Sequence, residues 1–309
     1  MYRYVLKRLL LLIPVIIGVS FIVYFIISFA PGDPARIMAG AEASQEDIER
    51  IREEYGLNDP VVIRYVRYMA NFLQGDMGTS YMTGGSVFDL CMKKLPATAA
   101  LAGVSCLFTL VISIPLGIYS AINQNTWKDN VAMVMALLGV SIPTFWFGLL
   151  LILLFALRLG WFPSGGNETP LSIILPALTL GINMLAFMTR TTRSSMLDVV
   201  RQDYLMLARA KGVTEKKVIS KHALRNALIP IITTLGLEFG GLLGGAAMTE
   251  SVFAWPGLGR LVVDAINQRD IPLVTGCVII TTILVSVVTL IVDILYAFVD
   301  PRIKAQYSK

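Results

Sequence analysis

Long apolar runs separated by short polar segments dominate the chain. Six runs carry no charge or a single acid, and each is about as long as the roughly 20 helical residues that cross the apolar core of a bilayer. These runs are 9–31, 96–127, 130–157, 170–189, 226–249 and 271–299. None alternates with the period of two that is typical of a barrel strand. The pattern predicts an all-α, polytopic membrane protein with six transmembrane helices.

Composition agrees with this pattern. The chain has 309 residues, of which 55% are hydrophobic and only 15% charged, whereas soluble domains are about 25% charged. Arg3, Lys7 and Arg8 precede the first run, as in a secretory signal peptide. That run is longer than a usual signal sequence and has no small-residue cleavage site, so residues 1–30 are expected to form an uncleaved anchor span.

Lysine and arginine placement predicts the orientation of the chain, because cytoplasmic loops retain positive charge. If the N-terminus is cytoplasmic, the inner segments hold 16 of the 26 lysines and arginines. Both termini are therefore expected in the cytoplasm, with segment 31–95 outside. The net charge of +5 follows from this orientation, and nucleic acid is not an expected partner.

Segment 31–95 has the signals of a small helical extracytoplasmic domain between spans 1 and 2. Ser44 and Asp47 resemble a capping box, and Asp59-Pro60 offers a second helix start. Tyr65 and Tyr68 follow at helical spacing and are expected in this domain's own core. The remaining chain, 96–309, is then a five-span core.

The inner loop 189–226 contains a short helix. Asp203 can cap a helix over 204–211, which Gly212 ends in a left-handed conformation, and Thr214 can cap a second helix. Eight helical residues are about 12 Å long and are not stable alone in water. The short helix therefore needs a docking surface, either a protein or, alternatively, anionic lipid headgroups.

Catalytic and metal-binding signatures are missing from the sequence. It has no P-loop, G-x-S-x-G, H-E-x-x-H or C-x-x-C motif. The single histidine, His222, lies in the basic loop, and the cysteines Cys91, Cys106 and Cys277 lack metal-site spacing. We expect the cysteines to be small packing residues, and they leave the redox compartment open. No catalytic residue, metal or cofactor is expected in this chain, so any transport through it would draw its energy from an ion gradient or a partner.

Several motifs together resemble the permease subunits of dipeptide, oligopeptide and nickel ABC importers over nearly the whole chain. They are YLMLARAKG at 204–212, HALRNALIP at 222–230, ESVFAWPGLGR at 250–260, PGDP at 31–34, GDMGTS at 75–80 and DPRI at 300–303.

The resemblance implies a second homologous permease subunit, two ATPase subunits that bind ATP and Mg²⁺, and an extracytoplasmic solute-binding protein. It also implies that the short helix couples the permease to the ATPase. The residues concerned are Asp203, Tyr204, Leu207, Ala208, Arg209, Ala210, Lys211 and Gly212. The broader permease motif E-A-A-x-x-x-G is only partly present, since Met206 and Leu207 occupy its first two positions. A segment after the fifth span, with Glu250, Trp255, Pro256 and Gly257, would form an extracytoplasmic gate.

Two acids lie inside the predicted spans, where ionised groups are costly and usually face a cavity or a partner. Glu238 either lines the transport path and meets a substrate amine, or makes a structural hydrogen bond. Asp293 is expected to be solvated or paired with Arg302, near the inner interface.

Small residues mark one face of the fifth span. Gly236, Gly240 and Gly244 form a doubled G-x-x-x-G, which packs either against the second subunit or pore, or within this chain. An ion-gradient-driven secondary transporter is the alternative function, although neither intramembrane acid has an evident basic partner and no internal repeat is seen. The substrate stays open among dipeptides, oligopeptides and nickel chelates, with peptides favoured.

Overall fold

The computed structural model describes residues 2–40 and 42–299, with the side chains of 2–5, 7 and 295–299 excepted. In this part the chain is helical, and its one β-type pairing is an isolated bridge between Thr79 and Ser86. Helices α1 to α13 are Tyr2–Phe29, Pro34–Ala39, Gln45–Glu54, Val61–Leu73, Val87–Ile122, Trp127–Ser141, Thr144–Leu151, Ile174–Val200, Asp203–Ala210, Glu215–Lys217, Leu224–Val252, Leu258–Asn267 and Ile271–Val299. A π-helical stretch, Ile152–Arg158, follows α7, a 3₁₀ turn, Pro170–Ile173, precedes α8, and a second π-helical stretch, Val218–Ala223, joins α10 to α11.

Five stretches within the described residues are long and apolar enough to cross a membrane as continuous helices. They are Arg8–Phe29, Val87–Ile122, Pro170–Val200, Glu215–Val252 and Ile271–Ile294. They correspond to five of the six predicted spans.

The third predicted span is not one straight helix. Its two halves, Trp127–Ser141 and Thr144–Arg158, meet at an angle of 104°. Ile142 between them has extended backbone angles, because the ring of Pro143 disfavours the helical conformation of the residue before it. The described residues therefore form five continuous spans, or six if the bent pair is counted as one broken span and not as a re-entrant loop.

Helices α5 and α8 pack closely through small residues. A Cβ atom on Gly117 would lie 2.6 Å from that of Thr192, and one on Gly181 would lie 2.9 Å from the hydroxyl of Thr109. Glycine lets the two backbones approach where a larger side chain would clash. This pair forms the middle of the main apolar cluster, which also includes α11.

Helix starts in segment 31–95 are only partly as the sequence predicts. Ser44 caps α3, accepting from the backbone N–H of Asp47 at 3.1 Å, and its hydroxyl donates back to the Asp47 carboxylate. Asp59 does not cap α4. Pro60 holds that position, and the Asp59 carboxylate instead pairs with Arg67 at 2.7 Å.

The aromatic side chains of α4 pack against the first span. The hydroxyl of Tyr65 donates to the carbonyl of Ile17 at 2.9 Å and lies 3.0 Å from the hydroxyl of Ser20. Tyr24 stacks edge-on with Tyr65 and tilts against Tyr68. These residues share an apolar cluster with α12 and α13. The prediction that the two tyrosines form a core private to segment 31–95 is wrong, because helical spacing identifies a buried face but not the partner that buries it.

Candidate functional site

The predicted coupling helix is present as α9, Asp203–Ala210, with small changes at its ends. Gln202 holds the N-cap position and makes no side-chain cap bond, so the predicted capping role of Asp203 is wrong. Gly212 has a φ of +77° and its N–H donates to the carbonyl of Arg209, while Val213 donates to Ala208. The predicted glycine stop is confirmed.

One face of α9 is docked onto the rest of the chain. Leu205 is fully buried in the main apolar cluster beside Val218, and Ala208 packs against the same cluster. The opposite face is open, since Met206 and Leu207 are each 56% exposed. Five further predicted coupling residues are also exposed: Asp203, Tyr204, Ala210, Lys211 and Gly212.

Polar contacts fix α9 to the helices that follow it. Arg209 donates two hydrogen bonds to the carboxylate of Glu215, at 3.0 and 2.8 Å, and these raise the pKa of the Arg209 guanidinium. The hydroxyl of Tyr204 accepts from the amide of Asn226 at 2.6 Å and donates to the carbonyl of His222 at 3.4 Å. Sequence reasoning missed Leu205, Glu215 and Asn226, because contacts across the loop leave no local spacing signal. Thr214 precedes α10 as predicted but makes no side-chain cap bond.

A second group of predicted residues lies at the other end of α11. Glu250 is fully buried, and its carboxylate accepts from the hydroxyl of Thr98 at 2.6 Å and from the N–H of Arg260 at 2.9 Å. Thr98 in turn accepts from the N–H of Leu258 at 2.8 Å. A side chain on Gly257 would overlap the Glu250 carboxylate. The glutamate therefore holds the turn between α11 and α12 against the fourth turn of α5.

Trp255 completes this turn. Its indole Nε1 donates to the carbonyl of Ala97 at 2.9 Å, and its backbone N–H donates to the carbonyl of Glu250. The ring is buried and Pro256 beside it is half-buried. The structure thus brings together all four predicted gate residues, and adds Thr98, whose position 152 residues earlier gave no signal in the sequence.

Residues of the GDMGTS and PGDP motifs form hydrogen bonds and a salt bridge. The Ser80 hydroxyl donates to the buried Asp270 carboxylate at 2.5 Å, and Asp270 also accepts from the N–H of Leu273 at the start of α13. Asp33 caps α2 and pairs with Arg52 at 2.7 Å. The DPRI motif lies outside the described residues.

Glu238 lines a cavity of about 340 Å³ halfway along α11. Thr144 and Asn183 contribute polar groups to the same cavity, and the amide of Asn183 donates to the hydroxyl of Thr144 at 3.2 Å. Among the side chains that the structure describes, none forms a hydrogen bond or an ion pair with the carboxylate of Glu238. Glu238 faces this cavity, and its two predicted roles, contact with a substrate amine and a structural hydrogen bond, stay predictions.

The glycines of α11 divide between two faces. A side chain on Gly236 would overlap Val292 of α13, and a Cβ on Gly240 would lie 3.5 Å from the Thr289 hydroxyl. Gly236 and Gly240 therefore pack within the chain. Gly244 has no heavy atom within 4 Å of its Cβ position, and neither do Gly241 and Gly245, which line the Glu238 cavity.

Asp293 forms a salt bridge with Arg8 of α1, with 2.9 Å between the charged groups. The expectation that the intramembrane acids have no basic partner is therefore wrong for Asp293. Its predicted partner, Arg302, lies outside the described residues.

The chain matches a family model described as the binding-protein-dependent transport system inner membrane component over residues 113–305, and the model of that family's N-terminal region over residues 1–102. It is 44% identical to the oligopeptide transport system permease protein AppB of Bacillus subtilis (strain 168), covering 98% of this chain and 100% of the relative. It is 42% identical to the glutathione transport system permease protein GsiC of Escherichia coli (strain K12), covering 98% and 99%.

Among solved structures, the inward-facing MetNI methionine ABC transporter has the same fold, with a TM-score of 0.60 at 20% identity over 68% of this chain and 96% of that one. The two family models and the near-full-length relatives indicate the same family, and the fold is consistent with it. The chain belongs to the family of inner-membrane permease components of binding-protein-dependent ABC transport systems.

Proposed function

We propose that this chain forms half of the translocation path for short peptides in an ATP-driven importer. In this proposal it pairs with a second permease subunit, rests on two ATPase subunits that hold ATP and Mg²⁺, and receives peptide from a solute-binding protein. Family membership supports the importer, and the names of the oligopeptide and glutathione permeases favour peptides over nickel chelates.

The observation that carries the proposal is that α9 has one buried face and one exposed face. Leu205 anchors the helix to the transmembrane core, while Met206 and Leu207 stay exposed. An apolar pair held on a rigid, hydrogen-bonded helix fits a groove in a partner protein, and a docked short helix can transmit rigid-body motion. We assign the ATPase contact to this surface.

Helix α11 provides a direct route from that contact to the gate. It contacts α9 through Asn226, lines the cavity at Glu238 and ends in the turn held by Glu250. The 24 residues from Asn226 to Glu250 span about 36 Å at 1.5 Å per residue. Movement of α9 would therefore displace both the cavity wall and the Glu250 turn.

The proposed topology has both termini in the cytoplasm, with α9 at the inner face and the Glu250 turn at the outer face. Segment 31–95 is then an extracytoplasmic insertion whose α4 rests on the first span. The distribution of lysine and arginine supports this orientation.

A secondary transporter is the rival function. Ion coupling requires titratable groups inside the membrane, and Asp293 is already paired with Arg8, which leaves Glu238 as the acid that faces a cavity. Membership of a binding-protein-dependent family weighs against this rival.

Cross-linking combined with uptake measurements tests the proposal. Leu207→Cys, in a background where the three native cysteines are replaced, should cross-link to a co-expressed ATPase subunit, while the buried Leu205→Cys should not. Uptake of labelled trialanine into vesicles containing the full complex and the binding protein should need internal ATP and survive collapse of ion gradients. Absence of the cross-link, or uptake by this chain alone driven by an ion gradient, would overturn the proposal.

A further inference from the structure

Two cysteines that are 186 residues apart lie side by side. The sulfurs of Cys91 and Cys277 are 3.1 Å apart, and both residues are fully buried. Cys91 is in the second turn of α5 and Cys277 in the second turn of α13. Free cysteines in apolar surroundings usually act as small packing residues, but packing alone does not require that two of three thiols meet.

The surrounding contacts fix the two helix starts against each other. A side chain on Gly276 would overlap Val87, so the helices touch at the residues next to the pair. The bond from Ser80 to Asp270 ties the preceding turns together. These contacts hold the two helix starts together, and at this junction the sulfurs of Cys91 and Cys277 face each other.

We propose that Cys91 and Cys277 are a disulfide-forming pair that covalently joins the outer ends of the second and last spans. A disulfide has a sulfur–sulfur distance of about 2.05 Å, and the two sulfurs at 3.1 Å are close to that separation. The proposal uses the topology given under Proposed function, in which these helix starts face the oxidising side of the membrane.

The reaction is thiol–disulfide exchange with an extracytoplasmic disulfide-bearing oxidant, either a protein oxidase or a small disulfide. The thiolate of one cysteine attacks the oxidant's disulfide and forms a mixed disulfide. The second cysteine then displaces the oxidant. A sulfur–sulfur bond forms in the chain, the oxidant's bond breaks, and the two electrons and two protons leave on the reduced oxidant.

Burial sets the order of events. An oxidant cannot reach either sulfur in the folded chain, so the bond forms during assembly, before α5 and α13 close together. Once formed, it is shielded from reductants by the same packing. The disulfide would keep the outer ends of the two spans together while their inner ends move.

Counting free thiols by mass spectrometry tests the proposal, with Cys106 as an internal reference. Cells expressing the full complex are quenched with acid, and the denatured chain is alkylated with N-ethylmaleimide before and after reduction. We expect one adduct before reduction and three after it. The matched variant Cys106→Ser should give none before reduction and two after, whereas Cys91→Ser should give two adducts in both samples.

Three adducts on the unreduced wild-type chain would overturn the proposal, as would a Cys106→Ser chain that takes up adducts before reduction. A second readout is stability. Cys277→Ser should lower the thermal unfolding midpoint of the detergent-solubilised complex, while Cys106→Ser should not. ATP-dependent trialanine uptake by the same samples is scored separately, so that an importer without the disulfide is told apart from failure of the importer assignment.

Discussion

The hydroxyl of Thr98, in the fourth turn of α5, donates a 2.6 Å hydrogen bond to the carboxylate of Glu250 at the end of α11, and both side chains are buried. The same hydroxyl accepts from the N–H of Leu258. One small side chain therefore satisfies both a carboxylate and a backbone donor. A buried polar group without its partner costs about 1–3 kcal/mol. Loss of this contact should therefore destabilise the turn between α11 and α12.

Thr98→Val should destabilise the turn between α11 and α12. Valine has nearly the same shape but cannot bond to Glu250 or Leu258, and we expect a loss of about 2 kcal/mol together with reduced ATP-dependent uptake. Thr275→Val is the matched control. Thr275 is equally buried, and among the described residues its hydroxyl bonds only to the carbonyl of Ile271 one turn earlier. Equal unfolding midpoints for the two variants would contradict this role of Thr98.

Gly212→Val should leave membrane insertion intact but abolish coupling to ATP hydrolysis. No heavy atom lies within 4 Å of a Cβ on Gly212, so the conflict is one of backbone conformation at a φ of +77°. A β-branched residue resists this region, at a cost of about 1–2 kcal/mol, and the end of α9 would shift. Gly212→Asn is the control, because asparagine tolerates the left-handed region. Uptake by the asparagine variant should exceed that of the valine variant, and full uptake by both would count against the assignment of α9.

Gly236→Ala should weaken the packing of α11 on α13. The added methyl would overlap Val292, and forcing extra volume into a packed interface costs about 1–3 kcal/mol. Gly241→Ala is the matched change on the open side of the same helix, where nothing lies within 4 Å. We expect the thermal midpoint of the solubilised protein to fall for the first variant and to hold for the second. Gly240→Leu should resemble the first, since Thr289 limits the space there.

Local features of the sequence predicted the fold well. Apolar runs located the spans because a bilayer demands about 20 apolar helical residues in succession, and Gly212 has the positive φ that ends α9. The break at Pro143 was not predicted, although a proline disfavours helix in the residue before it.

Contacts between distant residues were not predictable from one sequence. The partner of Tyr65 in α1, the pairing of Arg8 with Asp293 and the bond from Thr98 to Glu250 each join segments many residues apart. Helical spacing states which face of a helix is buried, but any of several helices can bury it. For the candidate site, the motifs gave the residues of α9 and of the Glu250 turn, whereas their anchors, Leu205 and Thr98, needed the structure.

Glu238→Gln should reduce uptake of peptides with a free amino terminus. The carboxylate faces a cavity shared with Thr144 and Asn183, and no side chain among the described residues neutralises it. A substrate ammonium passing through the cavity would gain a charge-assisted hydrogen bond, which is worth about 1.5–3 kcal/mol. Removing the charge should therefore raise the KM for trialanine by roughly tenfold or more, while the stability of the complex stays unchanged.

N-acetyl-trialanine separates this role from a purely structural one. The acetylated peptide has no ammonium group and cannot make this contact with Glu238. Its uptake by the wild type and by Glu238→Gln should therefore be similar. Thr144→Val serves as the control within the same cavity, since it removes a hydroxyl without altering the charge. If Glu238→Gln slowed both peptides equally, the carboxylate would act on the conformation of α11 and not on the substrate amine.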